Sequence, residues 1–176
     1  MRSIVPLSAV RPQMVEDLLD AAFEPERRTR TAYRIRDGVD WLDGLSFAAL
    51  DEDAWLVATI QVWPVALTDP AGQAHPLLMV GPVAVMPGHQ GEGNGMALIA
   101  AALGAVEAAG RGDAAPLPQI LIGDAPYYGR FGFAEAPRGW RCPGPWDPAR
   151  LLLRGAPAAL VPPAGMLGPW KDGRAR

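Results

Sequence analysis

The residues of this chain that could do chemistry gather around one glycine-rich turn. An apolar run, Val80 to Val85, leads through Met86-Pro87-Gly88-His89 into Gln90-Gly91-Glu92-Gly93-Asn94-Gly95, and an alanine-rich helical stretch starts at Met96. A strand, a glycine turn and a helix in that order suit a phosphate. Such a turn exposes backbone N–H groups that no intrahelical carbonyl reaches, and the helix dipole adds about half a positive charge at the same place. Glycines let a phosphate approach those amides without a Cβ in the way.

What is missing narrows the ligand. A P-loop needs Gly-Lys-Ser/Thr, but Met96 and Ala97 follow Gly95, and Lys171 is the only lysine. The dinucleotide fingerprint also fails, because a start at Gly93 meets Leu98 where its last glycine belongs. Both nucleotide hydrolysis and a Rossmann site are disfavoured.

The spacing that fits is Gln-x-x-Gly-x-Gly on Gln90, Gly93 and Gly95, preceded by a Val-x-Val strand and Pro87. It resembles the signature of the GCN5-related N-acetyltransferases. A second segment agrees with it: Ile120-Leu121-Ile122-Gly123-Asp124 reads as a strand, and Tyr127-Tyr128-Gly129-Arg130-Phe131-Gly132-Phe133 looks like the family's short helix and turn. The resemblance covers residues 1 to 136 well and the remainder loosely.

The resemblance implies an α+β fold of the acyl-coenzyme A N-acyltransferase kind. Its central sheet is mixed and mostly antiparallel, with a splayed strand pair and flanking helices. It implies acetyl-coenzyme A as co-substrate, with Val83, Ala84 and Val85 alongside the pantetheine arm and Gln90, Gly91, Glu92, Gly93, Asn94, Gly95 and Met96 around the pyrophosphate. An N–H near Val85 would face the thioester carbonyl and stabilise an oxyanion there. The acceptor would be a primary amine of a small molecule or a protein. Tyr128 takes the family's general-acid position beside the leaving sulfur, although a tyrosine that only packs and hydrogen-bonds the coenzyme has the same pattern. Asp124 fits a base or an amine anchor, and a strand-end turn residue equally; Trp63 is a further candidate on the acceptor side.

Two residues depart from the family's pattern. Glu92 stands where Arg or Lys is common, and Asn94 where an aliphatic residue is. A carboxylate near a pyrophosphate is unfavourable, so Glu92→Arg is expected to tighten coenzyme binding. These departures leave open a coenzyme A-binding sensor without turnover. Trp41, Trp55 and Trp63 leave open transfer of a longer acyl group.

Composition sets the remaining bounds. A chain of 176 residues suits one domain that buries roughly 70% of its unfolded surface without disulfides or a structural metal. Residues 1–167 read as that domain and 168–176 as a loose tail. With 16 basic and 19 acidic residues the net charge is -3, which draws the chain neither to nucleic acid nor to an anionic membrane. The cluster Arg27, Arg28, Arg30, Arg34 and Arg36 reads as a solvated helix face or, less simply, as an anion contact. One cysteine, Cys142, and two histidines, His75 and His89, give no metal set; His89 reads as a loop residue. No signal peptide or membrane span is visible, so a cytoplasmic location is expected. Exposed edge strands leave a homodimer open, and no residue pattern demands one.

The elements that must position these residues follow from periodicity. A strand at Ile4–Leu7 precedes a helix from Pro12, with Met14, Leu18, Leu19, Ala22 and Phe23 on one face. Thr31 to Arg36 forms a second helix. A hairpin turns at Asp51-Glu52-Asp53 between 46–50 and 54–63, and a strand runs from Leu77 to Val85. The helix after the glycines carries Met96, Ile99, Leu103 and Val106 in a stripe and ends at Gly110. Residues 111–118 link it to the strand at 119–123, and Arg150–Arg154 and Ala158–Val161 read as final strands.

Overall fold

The computed structural model describes residues 2–110 and 114–171. The chain divides into two compact units, one of residues 1–28, 41–62 and 80–114 and the other of 29–40, 63–79 and 115–176. Two long strands contribute to both: β3 (Leu56–Thr68) and β4 (Ala74–Val85).

In the first unit β1 (Ser3–Pro6) pairs antiparallel with β2 (Phe47–Leu50), and β2 pairs antiparallel with β3 from Phe47↔Ile60 to Ala49↔Ala58. The order is β1-β2-β3-β4. Asp51 makes the hairpin turn, its Oδ1 accepting from the N–H of Asp53 at 3.0 Å and of Trp55 at 2.8 Å. Short polar side chains that bond their own backbone two residues on are a turn's chemistry. Helix α1 (Pro12–Phe23) begins with proline, whose missing N–H costs nothing at that position. It buries Val15, Leu18 and Leu19 against Leu7, Ala48, Leu56 and Ala84. Residues 56–62 of β3 are all buried, as expected of a strand covered on both faces.

Helix α3 (Asn94–Ala109) buries Asn94, Leu98, Ile99, Ala102, Leu103 and Val106. This corrects the expected stripe at one position: Met96 is 44% exposed, and Leu98 is inward instead. With alanine at so many positions, apolarity runs most of the way round the helix, and periodicity alone cannot fix its buried face.

In the second unit Asp69 closes the β3–β4 hairpin, its Oδ1 accepting from Ala71 N–H at 2.9 Å and Gln73 N–H at 3.0 Å. β5 (Gln119–Ile122) runs parallel to β4 with register pairs Leu78↔Gln119 and Met79↔Ile120, after which β4 continues to Val85. β8 (Leu151–Arg154) pairs antiparallel with β5, and the two-residue β6 (Ala134–Glu135) with β8. On the other side β9 (Ala164–Pro169) pairs antiparallel with the end of β3, and β7 (Gly139–Arg141) parallel with β9. The sheet is mixed and mostly antiparallel, and the fold is α+β as expected. The core of this unit holds Ile35, Val65, Leu67, Leu77, Met79, Ile120, Trp140, Leu151, Leu153 and Leu167. Trp140 is fully buried and donates from Nε1 to Pro162 O at 2.6 Å.

Two expectations about chain ends change. Ala158–Leu160 is a single 3-10 turn with Leu160 79% exposed, and the last strand is β9. Pro157, Pro162 and Pro163 bracket that apolar run, and prolines cannot donate to a ladder. Pairing also continues past residue 167: Gly168 and Pro169 lie opposite Ala66 and Val65, and Trp170 N–H donates to Pro64 O at 3.2 Å. Residues 111–113 of the expected link and 172–176 of the expected tail lie outside the described residues.

Two members of the arginine cluster are not on a solvated face. Arg27 is 2% exposed, with Nη2 2.6 Å from Glu16 Oε2 and Nε 2.9 Å from Asp20 Oδ1, both on α1. Arg36, after α2 (Thr31–Ile35), is 5% exposed, with its guanidinium 4.1 Å from the Tyr33 ring centre and 4.2 Å from that of Trp63. Arginine reads as surface in a sequence; pairing and stacking let it be buried.

Candidate active site

The glycine turn belongs to the first unit. Met86 N–H donates to Val57 O at 2.8 Å, which fastens the end of β4 to β3 before the chain turns, and His89 N–H donates to Met86 O at 3.0 Å. Ala84 is fully buried, while Val83 and Val85 are half-buried. Gly88, Gly91 and Gly93 have φ of 95°, 78° and 82°, the left-handed region that glycine enters without steric cost. A Cβ at any of the three meets nothing within 4 Å. Backbone conformation, not crowding, therefore demands these glycines, and the space beside them is open.

Gly93 is the N-cap of α3 and supplies no side-chain cap. The first intrahelical bond runs from Ala97 N–H to Gly93 O at 3.1 Å, so the N–H groups of Asn94, Gly95 and Met96 have no intrahelical acceptor. The positive end of a 16-residue helix lies at that point. Gln90, Gly91, Glu92 and Gly93 are exposed along the approach.

Glu92 and Asn94, the two departures from the family pattern, form one network. Glu92 Oε2 is 2.7 Å from Arg2 Nη2, 3.2 Å from His89 Nδ1 and 3.4 Å from Asn94 Nδ2. Arg2 Nη1 also donates to the Glu92 carbonyl oxygen. Asn94 is 3% exposed and donates to His89 O at 3.4 Å. An aliphatic side chain there would pack; the amide also fastens the turn from within. The Glu92 carboxylate is thus occupied by basic and amide donors, which changes the expectation of an uncompensated negative charge.

Tyr128 belongs to the second unit, on the short helix α4 (Ala125–Tyr128) after β5. Asp124 is its N-cap: Oδ2 accepts from Tyr127 N–H at 3.2 Å, and Asp124 O from Tyr128 N–H at 3.0 Å. That accounts for an acidic residue at this strand end without any role as a base. The half-buried Tyr128 ring stands edge-on to Tyr127 at 4.9 Å and to Phe133 at 6.1 Å between ring centres. Gly123 forms its seat, since a Cβ there would lie 2.5 Å from Tyr128 Cε2. Arg154 on β8 secures the turn that follows, donating from Nε to Phe131 O and from Nη1 to Gln119 Oε1, each at 2.7 Å. Burial, and next the negative potential of Tyr127, push the Tyr128 phenol above its ordinary value near 10, while Arg150 pulls it back and Asp124 adds a smaller push.

Trp63, the other acceptor-side candidate, is half-buried under Arg36 in the second unit. Trp41 packs against the first unit's core, and Trp55 is 66% exposed. Cys142 is buried, and burial pushes its thiol up to about 11, which makes it inert as a nucleophile. Among the described residues no group of three or more His, Cys, Asp or Glu could hold a metal ion, and no helix is long and apolar enough to cross a membrane. Sequence reasoning missed Arg2 and Gly123. Arg2 is distant in sequence and unmarked by any motif, whereas a glycine directly before Asp124 is the signal that marks the seat.

The fold is that of the acyl-coenzyme A N-acyltransferases. Escherichia coli YhbS, a GNAT family N-acetyltransferase solved with CoA, superposes with a TM-score of 0.69 at 21% identity, covering 97% of this chain and 90% of that one. A GNAT family acetyltransferase from Brucella melitensis, solved with acetyl-CoA, gives a TM-score of 0.58 at 25% identity, covering 94% and 93%. A Trypanosoma brucei acetyltransferase gives 0.53 at 18% identity, covering 80% and 98%. Residues 7–136 match the acetyltransferase (GNAT) domain family, so the chain belongs to the GNAT acetyltransferases and is an acyltransferase. No curated protein matches it.

Proposed function

We propose that the chain transfers the acetyl group of acetyl-coenzyme A to a primary amine of a small molecule or a protein, by direct attack of the amine on the thioester. The observation that carries this reading is the first turn of α3, whose amides have neither intrahelical acceptors nor a side-chain cap and follow three left-handed glycines. These amides and those of the turn from Gln90 to Met96 hold the pyrophosphate. The pantetheine amides pair with the backbone of Val83 to Val85, as a peptide augments a strand. An N–H near Val85 then faces the thioester carbonyl.

The amine must lose a proton first. At a reference pKa near 10.4, on the order of one lysine-like amine in 10³ is neutral at pH 7. Attack then forms the C–N bond, the C–S bond breaks with its electron pair on sulfur, and the proton that the attacking nitrogen must still lose passes to water or to that thiolate. Tyr128, its phenol above 10 through burial, is fully protonated at neutral pH and donates to that sulfur. Complete transfer to a thiolate whose thiol has a reference pKa near 8.5 is uphill by about 2 kcal/mol or more, so the phenol acts chiefly as a strong hydrogen-bond donor to the developing charge. Trp41 and Trp55 already have other settings, and Trp63 lies under Arg36, so none of the three requires a longer acyl group.

Thiol release from acetyl- and hexanoyl-coenzyme A with a panel of amines, comparing wild type with Tyr128→Phe, tests this. Acetyl-dependent release that drops at least tenfold in the variant supports it. Coenzyme binding without release from any amine would favour the sensor reading.

A further inference from the structure

We infer that Arg2 is a coenzyme-binding residue, tethered by Glu92 so that its guanidinium serves a phosphate of the coenzyme; this rests on the acetyl-coenzyme A reading above. The cation at this turn comes from the other end of the unit's sequence, ahead of β1. Glu92 is its holder rather than a repulsive charge.

The geometry is a two-point grip. One Arg2 nitrogen donates to the Glu92 carbonyl oxygen and the other to its carboxylate, at 2.7 Å. A guanidinium has five N–H donors in a fixed plane, so gripping two from one residue fixes that plane and leaves three for a further acceptor. His89 and Asn94 reach the same carboxylate oxygen at 3.2 and 3.4 Å, so the holder is itself held. The Arg2 and Glu92 side chains are 42% and 35% exposed. An ion pair this open adds little to stability, so its worth lies in placement. Glu92, which holds it, lies two residues ahead of Asn94, where the run of open amides to Met96 favours an anion. Planar donor forks are the side chains best matched to phosphate oxygens.

The carboxylate therefore has opposite consequences depending on Arg2. With Arg2 present, Glu92 delivers a cation. Without it, Glu92 leaves a negative charge beside the phosphates. A charge-pair cycle reads this sign change directly.

The experiment is calorimetric titration of coenzyme A and of dephospho-coenzyme A into wild type, Arg2→Gln, Glu92→Gln and the double variant, with melting temperatures confirming that each is folded. Arg2→Gln is expected to weaken coenzyme A about five- to tenfold at low salt, with the difference shrinking as salt rises. Glu92→Gln is expected to weaken binding, or leave it unchanged, in the wild-type background and to tighten it in the Arg2→Gln background. A loss confined to coenzyme A assigns Arg2 to the 3′-phosphate; a loss shared by dephospho-coenzyme A assigns it to the pyrophosphate. Wild-type affinity in Arg2→Gln, or equal tightening by Glu92→Gln in both backgrounds, overturns the inference while leaving the acetyltransferase reading standing. Absence of coenzyme A binding by wild type overturns both.

Discussion

Gly123→Ala should disable the enzyme through Tyr128 without touching any substrate. An ideal Cβ at residue 123 lies 2.5 Å from Tyr128 Cε2, 2.8 Å from Tyr128 Cδ2 and 2.9 Å from Leu121 Cδ1. Carbon atoms rest about 3.5 Å apart or more, so the near ring edge must retreat by roughly 1 Å. The ring is not a free end that swings away, because Tyr127 and Phe133 stand edge-on against it and Arg154 holds the turn beyond. Overpacking of this kind costs about 1–3 kcal/mol, which for a chain of this size lowers the melting temperature by roughly 2–4 °C per kcal/mol. The catalytic loss should be larger than the stability loss suggests, since a 1 Å misplacement of a reacting group can cost about 10²-fold. Thiol-release kinetics should show kcat down about 10²-fold, approaching Tyr128→Phe, with KM for acetyl-coenzyme A little changed. The double variant should be no worse than Tyr128→Phe alone, because both changes remove one interaction. A folded Gly123→Ala enzyme with kcat within threefold of wild type would refute the seat argument. Additive losses in the double variant would refute it as well.

Two further perturbations have signs fixed by the structure. Activity carried by the proposed Tyr128 donor is retained at neutral pH and is lost as pH rises through the phenol's folded value, which burial places above 10. The pH–rate profile should therefore climb as the amine deprotonates and show no alkaline decline centred below pH 10; such a decline, absent from Tyr128→Phe, would contradict the assignment of burial to this phenol. Thr59 is fully buried beside its register partner Ala48, and its Oγ1 has no hydrogen-bond partner among the described residues. Thr59→Val removes an unpaired buried hydroxyl and should raise urea stability by about 1 kcal/mol, whereas destabilisation would mean that a buried water satisfies that oxygen.

The parts legible in the sequence were those whose signal is local. The glycine turn was visible because glycines ahead of an apolar helical run mark a helix start, and Asp51 marked its hairpin as short polar residues do. The helix at Pro12–Phe23 was visible through its spacing, and the short helix ending at Tyr128 through the resemblance of that segment to the family's short helix and turn. What stayed hidden depends on partners far away in the chain. Nothing near Arg27 says that Glu16 and Asp20 will take it out of water, and nothing near Arg36 names Tyr33 and Trp63 as its bed. Arg2 and Glu92 meet across 90 residues of sequence. Leu98 rather than Met96 faces inward because an alanine-rich helix leaves its rotation to tertiary packing. The run Ala158–Val161 had strand-like residues, and only the prolines around it pointed to the turn that forms.

The most direct measurement is a crystal structure of the protein with acetyl-coenzyme A. Pyrophosphate oxygens should lie within hydrogen-bond distance of the amides at residues 91–96, pantetheine amides should pair with the backbone of Val83 to Val85, and the sulfur should lie within reach of the Tyr128 hydroxyl. Pyrophosphate bound away from the α3 N-terminus, or a thioester far from Tyr128, would contradict this reading.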